Sequence, residues 1–104
     1  MDADTYQREA LKTLSPEADL LHAALGLAGE AGEVADALKK ARYQGHPLDR
    51  DHLIEELGDL LWHAAETAHF LGVPLSEVMS RNIAKLRRRY GEAFDVEKGL
   101  RRSD

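Results

Sequence analysis

Two short stretches carry carboxylates at a spacing that chemistry can use. Glu30 and Glu33 stand in Gly29-Glu30-Ala31-Gly32-Glu33, and Glu56 and Asp59 stand in Glu55-Glu56-Leu57-Gly58-Asp59. Residues three apart are neighbours on one helix face, where like charges repel. One such pair is ordinary on a solvated face. Two pairs in matching register beside an apolar stripe weaken the solvated-face reading without removing it. At about 100° per residue, Glu30 falls beside Leu27, Val34 and Leu38, and Glu33 lies about 60° further out. Glu56 stands in the same relation to Leu53, Leu60 and Ala64, with Asp59 about 60° beyond it. In an antiparallel pair of helices the four carboxylates converge at the edge of the seam. Partial burial of four negative charges is costly without a cation. The chain has no cysteine, so disulfides and thiolate sites are excluded. Hard oxygen donors suit Mg²⁺ or Mn²⁺.

The elements that must position these groups read as four helical segments. The first covers about 4–14. Ser15-Pro16-Glu17 reads as a cap with Pro at the first helical position, opening a segment over 17–43 with apolar residues Leu20, Ala24, Leu27, Ala31, Val34 and Leu38. Gln44-Gly45-His46-Pro47 breaks it. Asp49 or Asp51 caps a third segment running to 71, with the stripe Leu53, Leu57, Leu60, Ala64, Ala68 and Leu71. Gly72 stands where a C′ residue is expected. The fourth segment, 75–90, has the seam Met79, Ile83, Leu86 and Tyr90. The expected fold is all-α: a short antiparallel bundle of about four helices, one domain over 1–104 with a core at about 6–90 and a polar tail over 91–104. Four short helices bury little, so oligomerisation is expected to complete the core. Glycines 29, 32 and 58 inside strong helices suggest close approach of a backbone or ligand, or tight packing.

A net charge of −5 disfavours a nucleic-acid polymer as partner, since phosphate neutralisation needs clustered Lys and Arg. No apolar run approaches the roughly 20 residues that span a bilayer. The acidic start, Met1 to Asp4, lacks the regions of a signal peptide, and the expected compartment is the cytoplasm.

The run Gly26 to Ala35, with Glu55-Glu56-Leu57-Gly58-Asp59-Leu60-Leu61-Trp62, resembles the MazG-like nucleoside triphosphate pyrophosphohydrolases, whose signature is ExxE, a spacer and ExxD. Asn82-Ile83-Ala84-Lys85-Leu86 and Arg87-Arg88-Arg89-Tyr90 are similar to the last helix of that family. The resemblance covers 6–90. It implies an all-α fold assembled as a homodimer or homotetramer, and Mg²⁺-dependent cleavage of NTP or dNTP between the α- and β-phosphates. Position by position, it implies Glu30, Glu33, Glu56 and Asp59 as metal ligands.

In the mechanism these residues permit, Glu33 orients or deprotonates the attacking water, and no covalent nucleophile is needed. Asn82, Lys85 and Arg89 share one face and are the expected substrate contacts, with Arg capable of a bidentate fork. Lys40 and Trp62 are weaker candidates. The solvated lysine and the core or interface tryptophan are the plainer readings. His63, four residues past Asp59, could line the pocket, but a satisfied structural histidine is the plainer reading. Three alternatives stand: phosphoribosyl-ATP pyrophosphohydrolase, a non-catalytic helical dimerisation module, and a di-iron site, which the lone ExxH of Glu66 and His69 supports poorly.

Overall fold

Aspartates start three of the four helices. In the computed structural model, which describes residues 1–91, Asp2 caps α1 (Ala3–Ala10) by accepting from the Thr5 amide. Asp19 caps α2 (Leu20–Tyr43) through the His22 amide, and Asp49 caps α3 (Arg50–Phe70) through the His52 amide. Each satisfies a first-turn donor that the helix leaves unpaired. A single 3₁₀ turn, Leu11–Thr13, extends α1. The second helix therefore starts later than Ser15-Pro16-Glu17 suggested. The Ser15 hydroxyl and carbonyl accept from Glu17 and Ala18 in a tight turn, and Asp19 takes the capping role.

The third helix ends as expected. Gly72 adopts φ +77°, and the amides of Gly72 and Val73 return to the carbonyls of His69 and Ala68, a Schellman closure. Pro74 opens α4 (Leu75–Tyr90) and has no side chain to cap it. The first helix supplies the cap instead. Gln7 accepts from the Leu75 amide at 2.9 Å, and Asp4 accepts from the Ser76 amide and hydroxyl at 2.9 and 2.7 Å.

The architecture is an all-α bundle without strands among the described residues. Its spine is the antiparallel hairpin of α2 and α3, with α1 against α3 and α4 against α1 and α3. No described helix is long and apolar enough to cross a membrane. The expected polar tail lies, apart from Gly91, outside the described residues.

The packed face of α2 is rotated from the predicted stripe. Ala23 is fully buried, and Gly26, Leu27, Glu30, Val34 and Ala37 are half-buried, while Leu20, Ala24, Ala31 and Leu38 are exposed. On α3, Ala65, Glu66 and Ala68 are buried, whereas Leu57 and, just past the helix end, Leu71 are exposed. The hairpin closes on its smallest side chains, which let two helices approach, and turns large ones outward. The α4 seam residues Met79, Ile83 and Leu86 are likewise exposed.

Candidate active site

The rotation of α2 carries Glu30 into the packed face rather than beside it. There it meets α3. One carboxylate oxygen each from Glu30, Glu56 and Asp59 lies within 4.8 Å of the others. The Glu56 side chain retains only 13% of its exposure. Its carboxyl is pushed above the ordinary 4.5, chiefly by its hydrogen bond with Glu30, then by burial. Charge repulsion from Glu30 and Asp59 adds to the rise, and His52 opposes it. The His52 Nε2 sits 3.4 Å from Glu56 Oε1, one turn earlier on α3. The Oε2 of Glu30 is buried and has no hydrogen-bond partner among the described residues.

That orphaned oxygen is the informative defect. A buried acceptor with nothing to accept from costs about 1–3 kcal/mol. Two carboxyl groups in contact beside a third are strained in the same sense. A divalent cation relieves both, and the all-oxygen donor set fits a hard one.

Glu33 stands outside this three-residue group. It is exposed and lines a neighbouring cavity of about 230 Å³ with Asp36, Lys40, His46, Asp49 and His52. Lys40 pairs with Asp36 at 2.9 Å. That hydrogen bond, with smaller help from Glu33, raises the Lys40 ammonium above its ordinary value. From the first helix, Tyr6 comes near Asp59: burial and that carboxylate both push its phenol upward.

The other expected substrate contacts lie elsewhere. Asn82 and Lys85 line a cavity of about 490 Å³ with Leu71, Val73 and Arg81, which shares no residue with the acidic group. Arg89 is half-buried in the last turn of α4. The indole N–H of Trp62 is donated to the Ala10 carbonyl at 2.9 Å, fastening α3 to the end of α1. Gly29, Gly32 and Gly58 have open space where a Cβ would stand, so tight packing within the chain does not explain them. Sequence reasoning passed over His52 and Tyr6. For His52 there was a signal, since it precedes Glu56 by one helical turn. For Tyr6 there was none, because its neighbour is on another helix. The ExxH pair also separates: both Glu66 oxygens are engaged by His22 and His63, while His69 is exposed against Phe70.

A helical hairpin whose arms each deliver carboxylates to one point defines an all-α carboxylate-cluster protein. Comparison with known families narrows that class: the chain belongs to the MazG nucleotide pyrophosphohydrolase domain family, whose model matches residues 18–94. It is also similar to Gene 37 protein of Mycobacterium phage L5, 39% identical over 101 residues that cover 86% of this chain and 89% of the phage protein. No solved structure matches. The family expected from the ExxE and ExxD stretches is the family the chain belongs to.

Proposed function

We propose that the protein hydrolyses nucleoside triphosphates between the α- and β-phosphates, releasing a monophosphate and pyrophosphate. The observation that carries this reading is the convergence of Glu30, Glu56 and Asp59 around a buried, unpartnered carboxylate oxygen in a chain of this family. Glu30, Glu56 and Asp59, joined by Glu33 from the neighbouring cavity, would hold Mg²⁺ or Mn²⁺. The ion supplies charge neutralisation for the phosphoryl oxygens and acidifies water.

The remaining work falls to side chains. Glu33, exposed beside the cluster, takes the proton of the attacking water. The water oxygen bonds to the α-phosphorus, the bond to the bridging oxygen breaks, and pyrophosphate leaves with that electron pair. Lys40, in the adjoining cavity, contacts the leaving phosphates. Asn82, Lys85 and Arg89 are the substrate contacts made in the assembled homodimer or homotetramer. Assembly also covers the leucines that the single chain leaves exposed. The expected compartment is the cytoplasm, where nucleoside triphosphates are available.

The test is product release from a panel of ordinary and oxidised NTPs and dNTPs with Mg²⁺ or Mn²⁺. Monophosphate plus pyrophosphate is expected, abolished by Glu30→Gln. With Glu33→Gln, turnover falls by about 10²–10⁴-fold, the usual contribution of a general base, while triphosphate binding is retained. Inorganic phosphate plus a diphosphate would reject the reading. Turnover confined to phosphoribosyl-ATP would replace the substrate and keep the bond cleaved.

A further inference from the structure

One to two turns along the hairpin from the carboxylate group, the same two helices are held by a second cluster. Glu66 is fully buried on α3. The His22 Nδ1 lies 2.7 Å from its Oε2, and the His63 Nδ1 lies 2.9 Å from its Oε1. A buried carboxylate is tolerated only when it is hydrogen-bonded. An ionised carboxylate can only accept, so both Nδ1 atoms then carry protons and both rings are held in one orientation.

The His63 ring lies directly against Gly26 of α2, where an added Cβ would overlap the ring. That contact falls at a particular place. The helices are antiparallel, so a turn towards the start of α2 is matched by a turn towards the end of α3. Gly26 precedes Glu30 by four residues, and His63 follows Asp59 by four. The separation of the helices at Gly26 and His63 is therefore passed on, about 5–6 Å along the axis, to the carboxylates. Mg²⁺ demands ligands close to 2.0–2.1 Å, so the spacing of the two helices here bears on whether the donors reach one ion.

We propose that His63 is a positioning residue for the carboxylate group: oriented by Glu66 and seated on Gly26, it sets the spacing that lets Glu30 and Asp59 hold one cation. This rests on the reading of Glu30, Glu56 and Asp59 as metal ligands. Neither His63 nor Glu66 touches the substrate in this role.

The experiment is calorimetric titration of the full chain with Mn²⁺, with folding followed by circular dichroism. Gly26→Ala and His63→Leu, where folded, are expected to bind Mn²⁺ about tenfold or more weakly, as for other residues that support metal ligands. His63→Asn keeps an N–H for Glu66 and restores most of that affinity. Gln7→Ala, which loosens the first helix instead, lowers Tm and leaves the affinity unchanged. Native affinity in folded Gly26→Ala and His63→Leu, while Glu56→Gln loses it, overturns the inference and leaves the metal site standing. Absence of Mn²⁺ binding by the native chain overturns both. Should those two variants fail to fold, Glu66→Gln decides. It preserves volume but turns one acceptor into a donor, and unchanged affinity there overturns the role.

Discussion

Glu56 faces Glu30 across the hairpin, and their contact, more than burial, lifts the Glu56 carboxyl above its ordinary 4.5. A folded-state pKa above the unfolded value means the folded chain holds its proton more tightly. The resulting stability is present below 4.5 and is lost as pH rises through the elevated value. Asp36, lowered chiefly by its hydrogen bond with Lys40, acts in the other direction and in a separate window below 3.8. Metal-free protein should therefore lose Tm as pH climbs from 4.5 through the Glu56 titration. Glu56→Gln should remove that component. Mn²⁺ competes with the proton on Glu56, so its affinity should grow across the same window. Thermal denaturation at a series of pH values, with and without Mn²⁺, measures both. A native profile that overlays that of Glu56→Gln would mean the contact with Glu30 does not raise the Glu56 carboxyl.

The N-terminus of α4 depends on a residue more than seventy positions earlier. Asp4 accepts from both the amide and the hydroxyl of Ser76 at a partly buried contact. Pro74 has nothing to offer in its place. Asp4→Ala should cost about 1–2 kcal/mol, the scale of a lost helix cap. Asp4→Asn keeps an acceptor and should cost less. Urea denaturation of the two variants gives the comparison. Equal, negligible losses would show that α4 does not rely on α1 for its cap.

The elements were legible because their signals are local. Helical spacing marked all four helices, Gly72 marked the end of α3, and the two carboxylate pairs stood out by type and spacing. The start of α2 was misplaced because Ser15-Pro16 and Asp19 both fit a cap, and only the observed hydrogen bond to the His22 amide separates them. The packed face was misjudged for a different reason. Periodicity follows the largest apolar side chains, whereas this hairpin closes on Ala23, Gly26, Ala65 and Ala68 and turns leucines outward. The cluster at Glu66 could not be read at all, since His22 reaches it from another helix, 44 residues away. Trp62 is similar: its partner, Ala10, is 52 residues away.

Those outward leucines carry the last prediction. Leu21 and Leu25 lie one turn apart on α2, on the side away from α3, and are 65% and 64% exposed. Covering one such side chain contributes about 1.5–3 kcal/mol, so a patch of this kind favours association with a second apolar face. Leu57 and Leu61 form a comparable pair on α3. If the proposed homo-oligomer uses the α2 patch, replacing Leu21 and Leu25 together by Lys should shift the mass towards that of one chain. The helical circular dichroism should be retained, because both side chains are mostly exposed in the single chain. Light scattering after size exclusion reads the mass directly. A native chain that elutes as a monomer would remove assembly from the proposal. An oligomer that survives the double substitution would move the interface to the exposed faces of α3 and α4.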